Sequence, residues 1–112
     1  MTDFREKFSF EQRRSESTQI LRKYQSRTPI IVQTGPDMPL DKIKYLVPND
    51  LTMAQFIYVI RKRLTLRPET AIFIYVNNIL PSAMSSIISI YNTYRDDDGF
   101  LYFSIKGENT FG

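Results

Sequence analysis

The chain contains neither cysteine nor histidine among its 112 residues. Without cysteine it has no disulfide framework, no thiolate nucleophile and no zinc-finger ligands of that type. Without histidine it lacks the most common general base and the most common metal ligand. Its four glycines, Gly35, Gly99, Gly107 and Gly112, lie too far apart for a glycine-rich phosphate loop. We therefore predict that the protein is not an enzyme and uses no cofactor and no metal.

Long hydrophobic runs are also missing, because no apolar stretch approaches the roughly 18 residues that a transmembrane helix requires. The first ten residues, MTDFREKFSF, carry charges where a signal peptide is apolar. We expect the protein to be made and kept in the cytoplasm. A chain of 112 residues has the usual length of one domain.

The net charge of +3 is unevenly distributed along the chain. Residues 1–27 hold seven basic and four acidic side chains, and residues 41–67 hold six basic and two acidic ones. Residues 68–112 hold two basic and five acidic side chains. The first two-thirds of the chain is therefore expected to attract anionic partners.

Three segments have the pattern of helices. Ser9 and Gln12 have the spacing of a capping box at the start of a polar helix, FEQRRSESTQILRKY, which follows a shorter helical segment, DFREKF. Thr52 and Gln55 form a second capping box, before the strongest helix. That helix has one apolar stripe, consisting of Met53, Phe56, Ile57, Ile60 and Leu64. The segment SIISIYNTY predicts a short amphipathic helix.

Four segments have the pattern of strands. RTPIIVQ and KIKYLVP are joined by a loop of about ten residues, which predicts a long hairpin. AIFIYV is almost continuously apolar and is expected to be a central strand, and FLYFSI is the closing strand. RDDDG is expected to be a solvated loop. The order of elements predicts an α+β fold, a ubiquitin-like β-grasp with a four-stranded mixed sheet and two extra N-terminal helices.

Three clusters of residues invite a functional reading. Asp96–Asp98 are consecutive, whereas a calcium loop spaces its acids alternately, so a solvated turn is favoured. The basic residues Arg61–Arg63 fit either the solvent face of a helix or a surface for anions. The strand KIKYLVP is either a buried central strand or an edge strand with exposed apolar side chains, to which an extended peptide could add.

Long segments of this chain resemble one family, the autophagy ubiquitin-like modifiers, which includes the GABA-receptor-associated protein and the microtubule-associated light chains. The segments are FEQRRSE, KYLVPNDLTMAQFIYVIRKR, FIYVNNILP and DDDGFLYFSIKGENTFG. The resemblance implies an N-terminal helical extension at 1–26, a β-grasp core at 27–106 and a flexible conjugation tail at 107–112. It also implies that Gly112 is joined to phosphatidylethanolamine, either as the encoded last residue or after processing.

The resemblance implies a groove with two pockets that binds aromatic-x-x-aliphatic motifs. The first pocket takes the aromatic side chain and is lined by Glu16, Ile20, Pro29, Ile31, Lys44, Leu46 and Phe100. The second takes the aliphatic side chain and is lined by Tyr45, Val47, Pro48, Leu51, Phe56 and Val59. An acidic flank of the motif would meet Arg27, Lys42, Lys44 and Arg63. Because this groove is expected to be open, truncation of Tyr45 together with Leu46 should leave the fold intact.

The implied partners are E1-like and E2-like conjugation enzymes, a delipidating cysteine protease, short-motif autophagy receptors and membranes that contain phosphatidylethanolamine. The implied location is the cytoplasm, and the autophagosomal or another membrane after lipidation. The protein is expected to be a monomer that does not bind nucleic acid. The alternative is a basic ubiquitin-like module that binds RNA or an anionic membrane without being conjugated.

Overall fold

The computed structural model describes residues 3–36 and 38–107, which form four helices and four strands. The predicted α+β fold is confirmed, including both N-terminal helices. In chain order the elements are α1 (Phe4–Lys7), α2 (Phe10–Lys23), β1 (Arg27–Gln33), β2 (Lys44–Pro48), α3 (Met53–Arg63), β3 (Ile72–Tyr75), α4 (Ile87–Tyr94) and β4 (Leu101–Gly107). The last strand thus includes Gly107, which the family resemblance had placed in the conjugation tail. Residues 108–112 lie outside the described residues.

The strands form one mixed sheet in the order β2-β1-β4-β3. β1 pairs antiparallel with β2 and parallel with β4, and β3 pairs antiparallel with β4. The prediction that AIFIYV is a central strand is wrong, because β3 lies at an edge of the sheet. Although the segment is apolar throughout, its side chains alternate between buried and exposed positions: Ile72 and Ile74 are buried, whereas Phe73 is 38% exposed.

Each face of the sheet carries its own apolar cluster, because successive side chains of a strand point to opposite faces. The larger cluster includes Ile30 and Val32 of β1 and is covered by the predicted stripe of α3, where Phe56 is fully buried. The smaller cluster contains Phe4, Ile31, Phe100 and Tyr102, and Phe8 and Ile20 pack against it. The N-terminal helices thus cover the face of the sheet opposite to α3.

Both predicted capping boxes are present. The Ser9 side chain accepts from the Gln12 backbone N–H, and the Gln12 side chain accepts from the Ser9 N–H. Thr52 and Gln55 make the same reciprocal pair at the start of α3. These bonds satisfy N–H groups that the first helical turn leaves without a partner, so local sequence fixes where both helices begin.

The prediction that RDDDG is a solvated loop is wrong for Asp98, which is completely buried. Its Oδ2 accepts hydrogen bonds from the Tyr102 hydroxyl and from Arg13 Nη1, which lies 2.7 Å away. Its Oδ1 accepts the Phe100 backbone N–H at 2.9 Å. Burial, followed by the bond to Asp98, raises the pKa of Tyr102 to about 12. The loop therefore ties α2 to β4.

Within the described residues, no helix is both long enough and apolar enough to cross a membrane. No group of three or more histidine, cysteine, aspartate or glutamate side chains in residues 3–36 and 38–107 is placed to hold a metal ion.

Candidate peptide-binding groove

β2 forms the edge of the sheet next to α2, which decides between the two readings of KIKYLVP. Pro29 of β1 lies opposite Leu46 and has no N–H, so this antiparallel pair cannot exchange hydrogen bonds. The Val32 N–H donates to the Ile43 carbonyl at 2.8 Å. Hydrogen-bonded pairs therefore alternate with non-hydrogen-bonded pairs along β1 and β2. The backbone N–H and C=O groups of Lys44 and Leu46 therefore point away from β1, toward the open edge.

The predicted first pocket lies between α2 and β2, on the face that carries the smaller cluster. Ile31 and Phe100 are fully buried there, and Ile20 and Leu46 are half-buried. Pro29 lies opposite Leu46, and Ile31 lies opposite Lys44. The ammonium group of Lys44 contacts the Glu16 carboxylate at 2.8 Å, so one ion pair links α2 to β2. Contacts or strand pairing thus link each of the seven predicted lining residues to at least one other.

Phe100 is positioned by the acidic loop described above. Its backbone N–H is held by Asp98 Oδ1, and its ring packs edge-on against Phe4 with 5.4 Å between centroids. Sequence reasoning missed this support, because three consecutive aspartates are more often solvated. The buried Asp98 thus positions Phe100, a residue predicted to line the first pocket.

The predicted second pocket lies on the opposite face, against α3. Tyr45, Val47 and Phe56 belong to the larger cluster, and Leu51 packs against it. The Tyr45 ring meets the Phe56 ring edge-on, with centroids 5.9 Å apart. Pro48 at the end of β2 and Val59 on α3 are exposed.

Tyr45 corrects one expectation about the groove. Only 7% of Tyr45 is exposed, so this residue, which was predicted to line the second pocket, is part of the core. Truncating it would open a cavity beside Phe56, which typically costs about 3–5 kcal/mol for a large aromatic side chain. The premise that the groove is open at Tyr45 is therefore wrong, and we expect its truncation to destabilise the fold.

The four predicted basic residues are all exposed along this edge. The Arg27 guanidinium donates to the Leu46 carbonyl at 3.4 Å, and the Lys42 ammonium lies 5.3 Å from the centre of the Tyr45 ring. Lys44 is paired with Glu16, and Arg63 lies 3.7 Å from the Asp41 carboxylate. Two of the four cations thus have acidic partners within the chain. Gly112 lies outside the described residues.

Comparisons with known proteins agree with this architecture. A family model described as "Autophagy protein Atg8 ubiquitin like" matches residues 12–112. Autophagy-related protein 8 of Mycosarcoma maydis is 51% identical over 112 residues, which cover 97% of this chain and 95% of that protein. The crystal structure of Trypanosoma brucei ATG8 has a TM-score of 0.92 and 38% identity, covering 100% of this chain and 99% of that one.

A second solved structure shows a relative with a bound peptide. Plasmodium falciparum Atg8, in complex with a Plasmodium falciparum Atg3 peptide, has a TM-score of 0.85 and 28% identity. The match covers 95% of this chain and 96% of that one. With a family model that spans residues 12–112, the chain belongs to the Atg8 family of ubiquitin-like autophagy proteins.

Proposed function

We propose that this protein is a modifier that is conjugated through Gly112 to phosphatidylethanolamine and then recruits receptors that carry aromatic-x-x-aliphatic motifs. Membership in the Atg8 family supports an autophagy role as a ubiquitin-like modifier rather than a catalyst. The recruiting step is supported by one observation, an open strand edge at β2 with apolar side chains of both faces of the sheet beside it. The lipidated form would reside on autophagosomal membranes and the free form in the cytoplasm.

The spacing of the two pockets matches the spacing of the motif. In an extended peptide, residues i and i+3 point to opposite faces, because side chains alternate along a strand. A strand added beside β2 would therefore place its aromatic anchor over Ile31 and Phe100 and its aliphatic anchor against α3. The outward backbone groups of Lys44 and Leu46 would supply the hydrogen bonds of the added strand.

The pockets also define the direction of the bound peptide. The first pocket uses Lys44 and Leu46, whereas the second extends further along the chain, through Pro48 to Leu51. In the motif, the aromatic residue precedes the aliphatic one by three positions. A peptide that places both side chains in their proposed pockets must therefore run parallel to β2.

The expected affinity is moderate. Each buried anchor contributes roughly 1.5–3 kcal/mol, and each strand hydrogen bond contributes about 1 kcal/mol. The loss of translational and conformational freedom offsets much of this gain, which leaves an affinity on the order of micromolar.

The conjugation step is proposed on the resemblance and on the chemistry of glycine. An E1-like enzyme would use ATP to activate the Gly112 carboxylate as an acyl adenylate with release of pyrophosphate. Enzyme thiols would then displace AMP and carry the glycine as a thioester, and the lipid amine would displace the thiol to form an amide. Glycine has no Cβ, so its carbonyl is open to attack and its backbone fits a narrow channel. That a Plasmodium falciparum relative binds an Atg3 peptide supports a conjugation enzyme as a partner of this chain. A cysteine protease would reverse the attachment.

Leu46→Ala should weaken the binding of an aromatic-x-x-aliphatic peptide about tenfold, because the substitution removes apolar area from the first pocket. Leu46 is only half-buried, so the fold should tolerate the change. Fluorescence polarisation with a labelled peptide measures the dissociation constant, and thermal unfolding verifies the fold.

Ile79→Ala is the matched control, because Ile79 is a similar apolar side chain, 48% exposed, beyond the end of the opposite edge strand. It should bind the peptide like the unsubstituted protein. Equal affinities for the Leu46→Ala protein and the unsubstituted protein would place the peptide elsewhere on the molecule.

A further inference from the structure

Thr28 is one of three polar side chains that are buried in the part of the chain that the structure describes. The other two, Ser17 and Asp98, join α2 to the acidic loop, whereas Thr28 belongs to β1 and is only 1% exposed. Its hydroxyl donates to Asn49 Oδ1 at 2.7 Å. Because a buried hydroxyl without a partner costs free energy, this bond ties the position of Asn49 to that of Thr28.

Asn49 belongs to the turn that follows β2. Its backbone N–H donates to the Ser26 carbonyl at 3.0 Å and its side chain accepts from Thr28, so it is fastened twice to the chain at the start of β1. The Leu51 N–H donates to the Pro48 carbonyl at 3.1 Å, which closes the turn. Pro48 and Leu51, both predicted to line the second pocket, are thus the two ends of a turn that Asn49 fastens to β1.

α4 contacts the same turn through backbone hydrogen bonds. The Ile87 N–H donates to the Leu51 carbonyl at 2.7 Å, and the Ile88 N–H donates to the Asn49 carbonyl at 3.0 Å. Both N–H groups belong to the first turn of α4, which offers them no partner within the helix. The bond between Thr28 and Asn49 Oδ1 is the part of this support that a side-chain substitution removes.

Thr28 also lies beside the residues predicted to receive the aliphatic anchor. It pairs with Val47 across β1 and β2, so the two side chains share one face of the sheet. Val47 is buried in the larger cluster, and Leu51 packs against that cluster. A shift of the turn would therefore change the distance between Val47 and Leu51.

We propose that Asn49 is a positioning residue for the second pocket, and that its bond to Thr28 sets how strongly the protein prefers an aliphatic side chain at i+3, three positions after the aromatic anchor. The inference rests on the proposed function, because it requires the aliphatic anchor to lie against this turn. Without the bond, the turn must become ordered when the anchor binds, and this cost reduces the gain from burying it. The aromatic anchor at i lies on the other face of the sheet and does not depend on the bond.

The test uses three peptides that differ only at the two anchors. The first has tryptophan at i and leucine at i+3, the second has alanine in place of the leucine, and the third has phenylalanine in place of the tryptophan. NMR titration gives the dissociation constant of each peptide. The ratios of these constants give the preference for leucine over alanine at i+3 and for tryptophan over phenylalanine at i.

Four variants are compared with the unsubstituted protein: Asn49→Ala, Thr28→Val, the double variant, and Asn49→Asp, which keeps an acceptor oxygen for the hydroxyl. Asn92→Ala is the matched control, since Asn92 is an exposed asparagine on α4. Thermal unfolding verifies that each variant is folded.

We expect Asn49→Ala and Thr28→Val each to reduce the preference for leucine at i+3 by about fivefold, the effect of one typical hydrogen bond, and to leave the preference for tryptophan unchanged. The double variant should show the same reduction as either single variant, because both substitutions break one bond. Asn49→Asp and Asn92→Ala should keep both preferences.

An unchanged preference at i+3 in Asn49→Ala and Thr28→Val would overturn the role assigned to Asn49. Equal losses of preference at the two anchors, or additive losses in the double variant, would overturn it as well. Failure of the first peptide to bind the unsubstituted protein would instead refute the proposed function.

Discussion

Replacing Asp98 by alanine should lower the free energy of unfolding by about 3–5 kcal/mol, the range expected when one partner of a buried ion pair is removed. The substitution would leave the Arg13 guanidinium, which is largely buried, without its carboxylate. It would also leave the Tyr102 hydroxyl and the Phe100 N–H without the acceptor that they share. Urea unfolding followed by circular dichroism measures the loss.

Asp97→Ala is the control for this prediction. Asp97 is the preceding residue and carries the same charge, but its side chain is exposed. We expect the control to change the free energy of unfolding by less than about 0.5 kcal/mol, as surface substitutions usually do. Similar losses in the two variants would mean that the loop contributes through its charge alone. Asp98→Asn should fall between them, since an amide keeps one acceptor oxygen.

Because Asp98 holds Phe100, the same substitution should also weaken the first pocket. The smaller cluster connects Phe100, Ile31 and Phe4, so loosening the loop disturbs the floor on which an aromatic anchor would rest. The buried aspartate thus links the stability of the fold to the proposed recognition of peptides.

Deleting Gly112, or replacing it with alanine, should abolish transfer of the protein to phosphatidylethanolamine. Deletion presents the carboxylate of Phe111, whose Cβ crowds the carbonyl, and alanine adds a Cβ at the reacting residue itself. Incubation with E1-like and E2-like enzymes, ATP and liposomes, followed by mass spectrometry, measures the fraction of lipid adduct. Thermal unfolding should be unchanged.

Thr110→Ala is the matched control in the same segment, because it keeps Gly112 as the reacting residue. It should still form the adduct. Undiminished lipidation after removal of Gly112 would refute the role assigned to this residue. An adduct on a different residue would likewise place the reactive group elsewhere.

The sequence predicts where the helices and strands of this fold lie more clearly than it predicts which of them pack or pair with one another. The capping residues Ser9 and Thr52 and the apolar stripe of α3 depend on residues three or four positions apart, and the structure confirms them. The position of β3 depends on which strand pairs with β4, a contact between residues far apart in the chain. An apolar run such as AIFIYV therefore predicts a strand but not its place in the sheet.

The same limit explains the error at the acidic loop. Asp98 is buried by Arg13, which is 85 positions away, and by Tyr102 on the adjoining strand. No local pattern distinguishes it from Asp97. The first pocket was named only through the family resemblance, and alternation along β2 left the edge and central positions equally open.

The central claim is that a motif peptide adds as a strand to β2, and amide hydrogen exchange tests it most directly. The backbone N–H groups of Lys44 and Leu46 point to the open edge, so they should exchange quickly in the free protein. With a saturating aromatic-x-x-aliphatic peptide, exchange at these two amides, followed by NMR, should slow by at least about tenfold, while the amides of β3 keep their rates. Unchanged exchange at Lys44 and Leu46 in the presence of bound peptide would contradict the account.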